Sequence, residues 1–353
     1  MPTPRIEIDL NKLAHNAREV MAACSPKGIS VTAVTKGVCG SPIIAGALLK
    51  AGITSFGDSR IANIKKMREA GIDAQFYLIR TPMASEAEQV IKYVDISFNT
   101  EISVIRLLSA QALEYGKIHG VILMIDMGDL REGILPAHIK PMLAEIKGLA
   151  GVKLIGLGTN LACFAGVVPT EEKMREFSNF VEDLQQHHDE QFEIISGGNS
   201  ANHQWISSAQ DVELVNHLRI GETILLGVDP LNREKIPGLY TDAFTLIAEV
   251  IELKAKPSVP QGKVGQNAFG NVPQFEDNGN VQRGILAVGK QDIDDTAITP
   301  RIKAQVLGAS SDHLILDVSG LGLEAGSTVE MDVGYSALLR AMTSPYIEKV
   351  YLP

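Results

Sequence analysis

The chain has 353 residues, enough for one large domain or for two. Apolar residues make up 45% of it and charged residues 21%, an ordinary globular balance that excludes a disordered or fibrous chain. With 42 acidic against 32 basic residues the net charge is -10, the wrong sign for neutralising a phosphodiester backbone, so no nucleic acid partner is expected.

The opening stretch MPTPRIEIDLNKLAHNA has no apolar h-region, and no run approaches the ~20 apolar residues of a membrane span. A cytoplasmic protein without a membrane partner is expected. Cys24, Cys39 and Cys163 are odd in number and widely spaced, which suggests neither a disulfide framework nor a cysteine zinc site. The histidines lack ligand spacing; His187 and His188, in EDLQQHHDEQ, read as a solvated helix end, and no metal is expected.

From residue 29 to 227, short apolar runs alternate with longer helix-like segments, the pattern of βα units around a parallel sheet. The runs are ISVTAVTK, TSFGDS, QFYLIR, DISFNT, VILMIDMG, KLIGLGTN, FEIISGG and HLRIGETILLG, eight in all. SPIIAGALLKAG and RIANIKKMREAG fill the first two intervals as helices, each ended by a glycine. Eight such units predict an α/β protein built on a (β/α)8 TIM barrel, over residues 1–235. After VDPLNREKIPGLY the texture changes to β-branched runs (TLIAEVIELKA, RGILAVG, RIKAQVLG, HLILDVS, STVEMDVG) broken by Pro, Gly, Asn and Asp clusters. A smaller, mostly β C-terminal domain is expected over residues 236–353, and the long connector KPSVPQGKVGQNAFGNVPQFEDNGNVQ reads as functional or mobile.

In a barrel the strand ends share one mouth, and here they are polar: Lys36, Asp58, Ser59, Arg80, Asn99, Asp126 with Arg131, Asn160, Asn199, Ser200 and Arg219. Two readings of Lys36 stand at this point. Its stem can snorkel to water from the end of the AVTK strand, or the amine can be desolvated and therefore nucleophilic near neutrality, ready to form a Schiff base. For Asp58, Arg80 and Asn99 a plain need for polar groups where strands emerge serves as well. The turns SGGNSANHQ and RIGET combine small residues with a capping Ser200 and with the amides of Gly221 and Glu222, as in a barrel phosphate site. An aldehyde-binding amine facing a phosphate site describes pyridoxal 5'-phosphate.

In the order and spacing of AVTKG, DMGDLREG, GTNLACFAG, GGNSA and LRIGETILLG the chain resembles the alanine racemase-like (fold type III) pyridoxal phosphate enzymes, specifically the branch that includes ornithine racemases. The resemblance spans nearly the whole chain. It implies a head-to-tail homodimer whose β domain closes the partner's active site, and racemisation of a small-molecule amino acid by two proton-transferring groups. By this resemblance Lys36 holds the cofactor and moves the α-proton on one face. Arg131 matches an arginine near the phenolic oxygen, Ser200 a phosphate ligand with Asn199 beside it, and Gly221 and Glu222 the backbone amides on the phosphate. Arg219 matches the arginine at the pyridine nitrogen; always protonated itself, it keeps that nitrogen unprotonated and so weakens the electron sink.

The chain also departs from that pattern. Asn160 stands for the family's histidine beside the ring, Met124 for a carbamylated lysine, and Cys39 falls near a tyrosine position. VGQNAFG has no tyrosine to serve as the opposite-face base; Asp312 and His313, in SSDHLILDV, are the candidates, with Asp312 taken as the catalytic residue. Loss of the small-substrate tyrosines, with GTNLACFAG and VGKQDI, points to ornithine or another basic amino acid, its distal ammonium facing Asp292, Asp294 or Asp312. A racemase for alanine or serine, a non-catalytic cofactor carrier and a cofactor-free Schiff-base aldolase are the alternatives.

Overall fold

A computed structural model describes residues 3–188 and 191–353; the helix end read in EDLQQHHDEQ lies partly outside them. The chain forms two compact units, one of Met1–Leu10 with Asp242–Pro353 and the other of Asn11–Thr241. The first strand, β1 (Arg5–Asp9), belongs to the former.

The second unit is the predicted barrel. Its strands are β2 (Ser30–Val34), β3 (Ser55–Asp58), β4 (Gln75–Leu78), β5 (Ile96–Asn99), β6 (His119–Met124), β7 (Val152–Gly158), β8 (Ile194–Ser196) and β9 (His217–Ile220). Neighbours pair in parallel, and β2 closes the ring on β9, Ala33 opposite Ile220. Each strand coincides with one of the apolar runs because it is covered on both faces and has no wet side to mark with polar residues. Tyr77, Ile96, Phe98, Ile122, Met124 and Ile155 fill part of the core. The sheet is tight enough that a Cβ on Gly156 would meet the Ile194 carbonyl oxygen at 2.0 Å. The first outer helix, Pro42–Lys50, starts where expected, Ser41 Oγ accepting from the Ile44 amide with proline at the first position.

One run divides. HLRIGETILLG is a strand only to Ile220, and Glu222–Leu226 is a short helix ended by Gly227 at φ +64°. Thr223 to Leu226 are all buried, and a short helix buried all round carries no periodicity to tell it from a strand.

The other unit is an eight-stranded sheet. It contains β10 (Phe244–Pro257), β11 (Asn280–Leu286), β12 (Ile298–Pro300), β13 (Gln305–Ala309), β14 (Leu314–Asp317), β15 (Thr328–Val333) and β16 (Glu348–Leu352). The order is β12-β15-β10-β11-β14-β13, with β1 antiparallel to β10 and parallel to β16. Arg5–Asp9, assigned to the barrel from sequence, thus joins this sheet. The reason is visible in RIEID, where Ile6 and Ile8 are buried and the residues between them half-buried, the alternation of a one-sided strand. The unit also holds a helix, Tyr335–Thr343, that the β-rich reading passed over; it buries Ala337, Leu338, Ala341 and Met342.

Candidate active site

Lys36 follows β2 directly, in a single 3-10 turn, Lys36–Val38. The turn is held from behind. Thr35 Oγ1 donates to the Asp58 carboxylate at 2.8 Å, and the Thr35 amide donates to the Gly57 carbonyl at 2.9 Å. Asp58, wholly buried at the end of β3, also accepts from the Arg60 amide (2.9 Å) and Asn63 Nδ2 (3.0 Å). Burial pushes its pKa up against these hydrogen bonds. Burial likewise draws the Lys36 pKa below 10.5; the nearby Arg131 adds to this, and Asp58 and Glu132 oppose it. Of the two readings of Lys36, the desolvated amine describes the structure. The turn at Gly221 packs against the strand that leads into Lys36, since a Cβ on Gly221 would meet Val34 Cβ at 3.1 Å, and the Glu222 carboxylate feels the Lys36 charge.

Arg219 on β9 is buried among acceptors. One guanidinium nitrogen, Nη1, donates to Ser196 Oγ, and Nη2 donates to the Thr159 carbonyl (2.8 Å) and to Asn160 Oδ1 (3.3 Å). The guanidinium carbon lies 4.8 Å from the Phe98 ring centroid. Burial lowers its pKa to about 10, leaving it charged at neutral pH. Behind it His217 spans Ser196 Oγ (2.7 Å) and Thr32 Oγ1 (2.8 Å). Asn160 Oδ1 also accepts from Asn199 Nδ2 at 3.0 Å, whereas Asn160 Nδ2 is buried with no partner.

The phosphate-like turns meet as expected but differ in one detail. The amides of Gly221 (3.1 Å) and Thr223 (3.2 Å) both donate to Ser200 Oγ, so the Gly221 amide faces the hydroxyl rather than the open mouth. Helix formation frees the N-terminal amides of Glu222–Leu226, and the buried hydroxyl is the acceptor within reach. With both lone pairs engaged, that hydroxyl has its proton to donate to an anion. Asn199 caps the 3-10 turn Ser200–Asn202, accepting from the Ala201 amide at 2.7 Å.

Arg131 sits in the loop after β6, its guanidinium forked onto the adjacent Glu132. That ion pair raises its pKa further. Arg80 pairs locally with Glu86 at 3.4 Å, Asn99 hydrogen-bonds within its strand to Ser97, and Asp126 accepts from the Gly128 and Leu130 amides. These last three serve the scaffold. In the other unit, Asp312 is exposed and accepts from or is bridged to His313 Nδ1 at 2.7 Å. Asp292 is buried and takes the Ser344 hydroxyl at 2.6 Å, and Asp294 caps Thr296.

Sequence reasoning missed Cys163 and Asp129. Cys163 Sγ lies 3.4 Å from Asn199 Nδ2, among the strand-end groups. Asp129, buried in the loop before Arg131, accepts from the amides of Cys163 (3.1 Å), Phe164 (2.9 Å) and Val167 (3.3 Å). The contact joins the loops that follow the neighbouring strands β6 and β7, and nothing local in either loop marks it.

Among the described residues no cluster of metal-ligand side chains occurs. The donors instead fit a phosphorylated aldehyde: a desolvated amine, a serine hydroxyl oriented by two amides, an unpartnered buried Asn160 amide and a permanently charged arginine.

Residues 8–230 match the family described as alanine racemase, N-terminal domain. The chain is 41% identical to the lysine racemase of Thermotoga maritima over 355 aligned positions, covering 100% of this chain and 99% of that protein. It is 39% identical to the ornithine racemase of Acetoanaerobium sticklandii, with 99% of each covered. The fold matches the alanine racemase of Bartonella henselae with covalently bound pyridoxal phosphate at a TM-score of 0.75 and 16% identity, covering 99% of this chain and 100% of that one. Barrel, strand-end groups and full-length relatives agree, and the chain belongs to the alanine racemase N-terminal-domain family.

Proposed function

We propose that the protein is a pyridoxal 5'-phosphate-dependent racemase of a basic amino acid, ornithine or lysine. The observation that supports this reading is that the β2 end leading into Lys36 lies beside the β9 end that carries Arg219 and the turn where Gly221 and Thr223 converge on Ser200. The two full-length relatives, named for lysine and ornithine, favour those substrates over alanine or serine.

Lys36 would hold the cofactor aldehyde, the Ser200 hydroxyl, oriented by the Gly221 amide, its phosphate with the Glu222 amide nearby, and Arg219 its pyridine nitrogen, with Asn160 and Asn199 beside the ring. When bound, the cofactor supplies an electron sink for charge developing at the substrate Cα. The protein does the rest. Burial disfavours the charged form of the Lys36 amine, which suits it to take and return the α-proton at Nζ on one face. Arg219, enclosed by three acceptors, stays protonated and donates a hydrogen bond without releasing its proton. Arg131 orients the cofactor's phenolic oxygen or the substrate carboxylate with its charge tempered by Glu132. Asp312, assisted by His313, acts from the β unit of a partner as the opposite-face group, which makes the working unit a homodimer.

The test is a panel of L-amino acids incubated in deuterated water and scored for α-deuteration and the D-enantiomer. Ornithine or lysine should exchange and invert fastest; faster inversion of alanine overturns the substrate assignment, and no exchange on any amino acid overturns the racemase. Mixing Lys36→Ala and Asp312→Asn proteins tests the shared site, because each mixed dimer regains one intact centre. Recovery of ~25% of wild-type activity is expected after random exchange; no recovery removes Asp312 from the mechanism.

A further inference from the structure

Glu222 puts a carboxylate where the proposed cofactor's phosphate needs positive or neutral surroundings. Its neighbours Gly221 and Thr223 turn their amides onto Ser200 Oγ, so Glu222 leaves the backbone at the phosphate turn itself. The side chain is only 12% exposed, and the groups that act on it are Arg233, Lys36 and Asp229. Arg233 Nη1 is bound directly to its Oε1.

That arginine is held there deliberately by the fold. It occupies the left-handed region at φ 64°, which a non-glycine residue adopts only when its surroundings require it. The surroundings are built by the buried Asp229. Its carboxylate accepts from the Leu231 amide (2.9 Å) and from Gln204 Nε2 (2.8 Å), and its carbonyl accepts from the Arg233 amide (2.8 Å). The turn VDPLNREK is thereby fixed so that Arg233 projects onto Glu222.

We propose that Arg233 is a cofactor-retention residue: by cancelling the Glu222 charge at the phosphate turn it sets the affinity of the barrel for the phosphate ester. This rests on the pyridoxal phosphate reading above. A dianionic phosphate beside an unpaired, mostly buried carboxylate is repelled through a poorly screened path, whereas beside a neutralised pair it is not. The pair is thus a requirement of phosphate binding and takes no part in proton transfer.

The test uses the full-length apoprotein, titrated with pyridoxal 5'-phosphate and separately with pyridoxal, following the lysine-linked chromophore. Arg233→Ala should weaken the phosphate ester by ~10-fold or more while pyridoxal changes by less than about 3-fold. Adding Glu222→Gln to Arg233→Ala should bring the phosphate ester back to within about 3-fold of wild type, since the unpaired charge is then gone. Equal losses for both aldehydes, no loss in Arg233→Ala, or no recovery in the double variant each overturn the proposal. A wild-type protein that gives no chromophore with either aldehyde, or a chromophore that survives Lys36→Ala, defeats the cofactor reading itself and is told apart by the wild-type titration alone.

Discussion

In the barrel unit the charged and titratable groups that matter are inside: Asp58, His119, His217 and Arg219 are all at most 5% exposed and held by hydrogen bonds to neighbouring strands. In the β unit Arg301 pairs with Glu330 and Asp332, and Asp312 with His313, at the surface. A closed parallel barrel has only its ends and its lumen for polar groups, so these become desolvated and their protonation is tied to folding; a one-sided antiparallel sheet leaves them in water. Burial therefore ties charge to folding in the first unit, whereas Asp312 and His313 in the second stay exposed.

The largest effect expected is at Lys36. Lys36→Ala should lower racemisation by ~10^3-fold or more, read as D-enantiomer formed per minute, while the melting of the protein stays near wild type. A surface lysine of the β unit treated likewise, Lys254→Ala, should leave the rate unchanged.

Acid should separate the units next. Burial lowers His217 to about 3 and His119 to about 4, so the unfolded chain, whose histidines titrate near 6.5, binds protons first as pH falls. Stability conferred by these two residues is complete above pH 6.5 and is lost downward to about 3, several kcal/mol at ~1.4 kcal/mol per unit. Among the eight histidines the β unit has only His313. Hydrogen exchange between pH 7 and 4 should show barrel amides losing protection before those of the sheet, and His217→Gln should blunt that loss.

Asp58→Ala leaves Thr35, Arg60 and Asn63 without their acceptor, which should cost about 1–3 kcal/mol in denaturant melts and slow catalysis by loosening the turn that bears Lys36. Lys36 itself has a pH signature of the same sign as the histidines, at the alkaline end. Because its pKa is below 10.5 in the fold, the unfolded chain holds the extra proton across that interval, so apoprotein stability should rise with pH towards 10.5. Lys36→Met should flatten the rise. The smallest change is expected from Arg301→Ala, whose exposed pairs with Glu330 and Asp332 are worth up to about 1 kcal/mol and less at high salt. A larger cost there would break the contrast between the units.

Much of this was legible along the chain. All eight barrel strands lie on the apolar runs; Lys36, Asn160, Asn199, Ser200, Arg219 and Gly221 fall at or just beyond their ends, where Asn160 bonds to Asn199 and Arg219, and Gly221 to Ser200. Other features were not legible, for physical reasons. The membership of β1 in the sheet depends on pairing with β10, more than 230 residues away, and RIEID alone does not say which sheet it will join. Arg80, Asn99 and Asp126 looked as well placed as Arg219, yet their nearest partners are local and they remain scaffold.

The sequence by itself determined the alternation of strand and helix, the change of texture after the barrel and the residue types at each strand end, because these follow from local side-chain chemistry and backbone preference. Only the tertiary structure decided that Glu132 and Glu222 would act on Lys36, that two amides would converge on Ser200, and that Arg233 would cover Glu222. Those relations arise when β9 closes on β2 and brings the first and last strand ends side by side, and electrostatic coupling depends on that distance through space rather than on separation along the chain.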